Sequence, residues 1–575
     1  TAWLVLAGTQ IVRGVGDMAR FGAVLFLVLA PLRLALMTFL AALRAASGVA
    51  QEKDKKTMVL LLMTRLTNHE LVLGKLLASL LDVLVMLLAA APIFFLLTLF
   101  GGVSWAQVAR VLAVTLATVL AAGSLGSTVA FARDKTFQSL AMTALVLVIW
   151  IGGWEALAAV GFGVNLGGVS LAQVAAAASP LRAVLAAAHP LRDTHALFAA
   201  PDTWFIVAAV AIAAVLNIWA IVRVRVWNPG RELLPVAPAE DEESRPAAAE
   251  ALAAGPALDP EAARAAHVDA RVRKAAAKSR EVWDNPVLWR EMRTWAYGRK
   301  VLVIKAVYWL LFFMALAALV GTIQSGAAFA RASQTIIPAA AQPLAPFFLV
   351  SLVIVNALAV TSITNERDGG SLELLLVTDL TPREFLFGKM GGVAYVTWEM
   401  IVLPLVLCLV LWGAGGLTLE NLVYLVLGLL VMDVFVIMLG MHCGMNYANS
   451  RSAIGVSLGS VFFLFLGVVT LILFMISFSS SFQTQLTPFL AFVVGGSVGL
   501  FVTLGIRNAS SAIGWASLLL PFATFFAVTN FLVDHPAEAF LVTAFTYGFT
   551  TAAMLVPALY EFDIAMGRTR LAGEE

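Results

Sequence analysis

Cysteine is nearly absent from this chain: Cys408 and Cys443 are the two among 575 residues, and its six histidines are scattered. That excludes a disulfide framework and leaves no spacing suited to a metal site. Charge is scarce as well. Charged residues make up 13% and hydrophobic residues 61%, against about 25% and roughly 45–50% in ordinary soluble domains. No G-x-x-x-x-G-K-[ST] sequence occurs. The nearest approaches, Gly74-Lys75 and Gly388-Lys389, have His69 and Arg383 where the first loop glycine belongs, and Leu76 and Met390 where Ser or Thr is needed. The chain therefore lacks that backbone cradle for nucleotide phosphates. Paired catalytic carboxylates, HExxH and a nucleophile elbow are also missing, which argues against a membrane enzyme.

What is present is apolar sequence in long runs. Mean hydropathy is +0.92, and a spanning helix needs about 20 mostly apolar residues. Spans are expected near 21–47, 71–100, 104–132, 137–160 and 203–226, then 301–322, 344–364, 385–413, 419–447, 452–477 and 538–560. Thr1 to Gly8 is too short to span, so the chain is expected to start inside its first helix, as the matching segment runs a full 301–322. Pro180 and Pro521 each head a short apolar run, read as helices that dip in from outside. The stretch 487–505 either crosses, with 511–532, or forms a re-entrant arm. The expected fold is an all-α integral membrane protein: two parallel-orientation repeats of about six helices each, with interfacial coupling and connecting helices and re-entrant external helices.

The repeat is visible directly. Glu52 to Lys75 aligns without a gap on Glu366 to Lys389, 314 positions on, and 11 of the 24 aligned residues are identical. Internal repeats decide architecture before any other reading. Each copy has a charged start (Glu52, Asp54; Glu366, Asp368), a hydroxyl (Thr57; Ser371), a short apolar segment, and a Thr-x-x-Glu capping box (Thr67 with Glu70; Thr381 with Glu384) opening the next helix. A second matched pair of loops, Arg133-Asp134-Lys135-Thr136 and Asn449-Ser450-Arg451-Ser452, aligns at an offset of 316. Lys and Arg gather at alternate ends of the apolar runs, so the positive-inside rule puts both repeated loops, the central linker and the C-terminus in the cytoplasm.

Three parts follow: a first transmembrane domain over 1–228, a cytoplasmic linker over 229–280, and a second transmembrane domain over 281–575. The linker is rich in Ala, Pro and Glu, with an acidic cluster Glu240-Asp241-Glu242-Glu243, too poor in aromatics to build a core. After it, three Trp within 13 residues (Trp283, Trp289, Trp295), interleaved with Arg290, Arg293, Arg299 and Lys300, mark a helix in the headgroup plane. Ionisable groups inside spans are functional candidates by default: Arg33, Asp82 and Glu155 in the first half, Glu399 and Asp433 in the second. Asp82, Glu399 and Asp433 are candidates for a transport path, Glu399 and Asp433 facing a cavity between the halves, with Arg33 a possible partner for Asp82. Cys408, Cys443 and His442 read as packing residues.

The run Glu366 to Lys389, with LELLLVTDLTPREFLFGK, resembles the loop between the second and third helices in membrane subunits of ABC transporters of the exporter-like type-two permease family. Asn285 to Glu291 resembles the amphipathic connecting helix that opens such domains. The first copy departs further: Lys55-Lys56 replace Gly369-Gly370, and Val59 stands opposite Glu373. The resemblance implies two fused permease domains in a bacterial inner membrane, with separate nucleotide-binding ATPase subunits, two copies, docked on the coupling loops. It implies no cofactor bound by this chain, ATP and Mg belonging to the partner. Membrane lipid and a transported substrate of unknown identity are the other expected partners, without nucleic acid. A secondary active transporter of two parallel repeats is the alternative reading, disfavoured by the sparse charge in the spans and by matched elements that are loops.

Overall fold

The computed structural model describes residues 15–55, 57–133, 135–160, 165–166, 169–170, 174, 177–189, 201–228, 283–293, 301–326, 340–376, 380–478, 482–506, 510–532 and 535–560. The expected first helix at Thr1, the linker 229–280, Asp134 and the C-terminal tail lie outside them, as does the side chain of Glu155. The described chain is helical apart from one two-residue antiparallel bridge, Asn165–Leu166 with Val169–Ser170. Among the described residues eleven helices are long and apolar enough to cross a membrane, and the protein is an all-α integral membrane protein.

The first half contains α1 (Val15–Asp54), the short α2 (Thr57–Met63), α3 (Asn68–Leu99), α4 (Trp105–Ala132), α5 (Thr136–Val160), the short α6 (Pro180–Ala188) and α7 (Pro201–Trp227). The second opens with α8 (Pro286–Arg293) and α9 (Val301–Gln324), followed by α10 (Ala341–Asp368), α11 (Ser371–Leu376), α12 (Pro382–Val396), α13 (Trp398–Gly413) and α14 (Leu419–Asn446). It ends with α15 (Ser450–Phe462), a π-helical segment Phe463–Gly467, α16 (Val468–Phe478), α17 (Phe482–Leu504), α18 (Ser511–Leu532) and α19 (Pro536–Tyr560).

Element boundaries repeat at the 314-residue shift. The α4 helix covers 105–132 and α14 covers 419–446; α5 begins at Thr136 and α15 at Ser450. The second pair of inner loops therefore also aligns at 314, correcting the offset of 316: Thr136 matches Ser450, and Arg133 matches Tyr447. Packing repeats too. A Cβ at Gly126 would lie 2.2 Å from the Ala42 carbonyl oxygen, and one at Gly440 would lie 2.9 Å from that of Asn356. These are the same crossing in both halves, with glycine required because two backbones meet there. The halves join through α5 against α9 and α10, and through α1 against α15 and α16.

Two expectations need correction. The span expected at 385–413 is two helices meeting at Thr397 with a 57° bend. Pro521 does not head a run but sits inside the 22-residue α18, where the chain continues straight through as a candidate span.

Candidate functional site

The repeated loops sit at matching corners, and their charged starts are clamps. At the end of α1, the Lys53 ammonium donates to the carbonyls of Phe131 and Arg133, closing the C-terminus of α4. In the second half Arg367 donates to the carbonyls of Gly444 and Tyr447, the latter at 2.5 Å, at the end of α14. A cation at a helix C-terminus meets both its unpaired carbonyls and the negative end of its dipole. One residue on, Asp54 accepts from the Thr136 hydroxyl and Asp368 from that of Ser450. Each Asp thus holds the start of the next helix while its neighbour holds the end of the previous one.

The short helices hang from these clamps. Thr57 and Ser371 each donate to a carbonyl one turn back, that of Glu52 or Glu366, at 3.2 Å. At the far end Glu70 accepts from the Thr67 N–H at 2.8 Å, and Glu384 from the Thr381 N–H at 2.9 Å. Thr381 also accepts from the Glu384 N–H, completing the reciprocal box. Asn449 caps α15, and Arg451 reaches across the halves to the Gly48 carbonyl at 3.3 Å.

Glu52 and Glu366 point inward. Glu52 pairs with Lys75. Glu366 belongs to a larger cluster: Lys389, 1% exposed, bonds Glu366 at 2.6 Å and Glu291 at 2.8 Å, and Arg290 pairs with both acids. Burial works to raise the Glu291 carboxyl, but the Lys389 ammonium and the Arg290 bond outweigh it and hold it below the ordinary value. Connecting helix α8 is thereby locked onto α12, where a Cβ on Gly388 would lie 2.7 Å from Asn285 and 2.8 Å from Val287. Sequence reading missed Lys389, Glu291 and Arg290 as a unit; the signal available was the identity of Lys75 and Lys389 in the repeat. It also missed Arg225 on α7, whose guanidinium bonds Asn68 at 2.7 Å and the carbonyls of Leu62 and Leu66, tying the end of α2 to the bundle.

With Glu52 and Asp54 turned in, the outward surface of the first loop carries large apolar side chains, Leu60 at 58% and Met63 at 73% exposure with exposed Leu66, beside exposed Thr64 and Arg65. Thr57, Thr67 and Glu70 are exposed with them.

The charges within the spans fall differently from expectation. Asp82 pairs with Arg44 at 2.7 Å on an exposed face, whereas Arg33 is buried, donates to the Leu87 carbonyl at 2.6 Å and lies over the Phe94 ring. Glu399 is paired with Lys305 of α9 at 2.8 Å. Asp433 lines a small cavity between α10, α13 and α14. Both acids thus meet second-half helices, Glu399 against α9 and Asp433 against α10 and α13. Cys408, Cys443 and His442 are buried, His442 bonding the Leu504 carbonyl at 2.9 Å.

The structure thus offers paired inner corners on a polytopic helical framework. Residues 16–225 match the family model described as ABC-2 family transporter protein. No curated protein and no solved structure matches the chain. The match falls on the half whose loop departs more from the second-copy pattern, and it spans α1 through α7, including the first repeated corner. Over residues 16–225 the chain is thus similar to the ABC-2 family transporter proteins, and the match does not extend to the second half.

Proposed function

We propose that this chain supplies both membrane halves of an ABC exporter, moving an unidentified substrate by alternating access. Separate ATP-binding subunits, one under each half, would dock on α2 and α11 and hold the ATP and Mg. On this reading the two repeats share one orientation, both corners face the cytoplasm, and the protein resides in a bacterial inner membrane. The observation that carries it is the apolar tip Leu60–Met63–Leu66, held rigidly between the Lys53–Asp54 clamp, the Thr67–Glu70 cap and Arg225. Clustered large apolar side chains on a braced element between two spans suit a surface that a protein partner or the membrane face covers. A braced element also transmits displacement: pushing α2 moves α1, α3 and α7 together, and through α1 the contact with α15 and α16.

The carboxylates Glu52, Asp54, Glu366 and Asp368 hold the loops in shape, and the contact with the ATPase falls to the tip. The test is co-purification in mild detergent from a native host. Leu60→Asp with Met63→Asp should abolish recovery of a P-loop ATPase while leaving the protein monodisperse and thermally unchanged. Undiminished recovery with both substitutions would refute docking at this tip. A wild-type sample from which no ATPase is recovered would favour the secondary-transporter alternative.

A further inference from the structure

The second half carries a small pocket lined by an acid, Asp433, where the first half has Val119 at the matching position. Asp433 is 7% exposed and lines a cavity of about 10 Å³ together with Ser351, Met400 and Pro404. That volume holds about one water molecule. Asp433 has no hydrogen bond or ion pair among the described residues. Lys305 is paired with Glu399.

The other groups nearby are spoken for. Ser351 donates to the Phe347 carbonyl at 2.8 Å and lies 2.6 Å from the Tyr308 hydroxyl, which feels the charge of both Asp433 and Glu399. Met400 is different: the helical donor to its carbonyl would be the N–H of residue 404, which is proline and has none. Among titratable groups on the elements packed against α14, Lys389 serves Glu291 and Glu366, Tyr547 bonds Thr524, and Arg451 bonds Gly48. Tyr395 of α12 is exposed, Cys408 of α13 is a buried thiol, and Glu538 and Tyr560 lie at the two ends of α19. At the inner end of α10, Glu366, Arg367 and Asp368 are held by the clamp and cluster described above. On α14 itself, Glu420 and Tyr424 bond each other near the start, while His442 and Cys443 lie more than two turns beyond Asp433.

At the 314-residue shift, Ser351, Glu399, Pro404 and Asp433 correspond to Met37, Val85, Ala90 and Val119. The two copies of the duplicated framework thus differ at all four positions, and the first carries only apolar side chains there. An ionised carboxylate without a partner costs far more in that setting than a neutral acid.

We propose that this pocket is a proton-binding site: Asp433 holds one exchangeable proton inside the membrane domain, with the unclaimed Met400 carbonyl and a pocket water available to it. Gain and loss of that proton would change the seating of α13 on α14 next to the 57° bend at Thr397, which rests on the alternating-access reading only for its consequence and not for the site itself. The test is infrared spectroscopy of the purified full chain in lipid vesicles, with pH stepped from acidic to alkaline. A carboxylic-acid carbonyl band should be present at neutral pH and fade as pH rises. It should be missing in Asp433→Asn, shifted but retained in Asp433→Glu, and unchanged in Glu399→Gln. A band that survives Asp433→Asn, or disappears in Glu399→Gln, overturns the proposal. So does a wild-type band lost on adding sodium at fixed pH, which would make the pocket a metal-cation site. None of these outcomes depends on an ATPase partner.

Discussion

The two repeated corners share a backbone plan and differ in how deeply it is fixed. In the first, Glu52 meets one lysine, Lys75, whose side chain remains 28% exposed. In the second, Glu366 lies in a four-residue cluster around the fully buried Lys389, sealed by α8. Gly74 has open space around it, whereas Gly388 is pressed against α8. The difference extends along the third helix of each half. Val85, Met86 and Ala89 are exposed, while their counterparts Glu399, Met400 and Leu403 are buried, and α9 with Lys305 packs on that stretch. Identical residues at identical spacing thus acquire different roles according to what covers them.

Removing the central cation should separate the corners most sharply. Lys389→Met leaves two buried carboxylates without their ammonium and should cost about 3–5 kcal/mol. Lys75→Met breaks a half-exposed pair and should cost about 0–1 kcal/mol. Thermal unfolding in detergent measures both; equal losses would remove the distinction. Filling the glycines comes next. Gly388→Ala should cost about 1–3 kcal/mol through the clash with Asn285 and Val287, while Gly74→Ala should be neutral or stabilising by up to about 1 kcal/mol. Proteolysis within α8 would report the first change specifically.

The smallest effect is with pH. Glu291 is held below its ordinary value of 4.5, so its contribution is complete above that value and is lost as pH falls through the lowered one. The unfolding midpoint of the wild type should drop in acid, and that of Glu291→Gln should drop less. A parallel acid dependence in the two proteins would show that the cluster does not titrate with folding.

Much of this was legible in the chain. Apolar run length located most of the spans to within a few residues, because the hydrocarbon thickness sets that length whatever the neighbours are; the break at Thr397 and the longer ends of α1 were not legible in it. The capping boxes were readable because they satisfy local N–H groups within one turn. The roles of the charges were not readable. Glu52 and Glu366 were expected to face a partner, and they turn inward because Lys75 and Lys389, 23 residues further along each repeat, rise beside them. Arg33 was paired with Asp82 on the ground that both are charged and within spans, yet Arg44 lies at the height that reaches Asp82.

The sequence by itself determined the membrane class, the duplication and the local grammar of each loop, all of which depend on solvent and on neighbours within a few residues. Only the tertiary structure decided which acid meets which base, which glycine is pressed by a backbone, and that Asp433 meets no partner among the described residues. Those outcomes depend on distances between segments tens to hundreds of residues apart, where a shift of one helical turn replaces one partner with another.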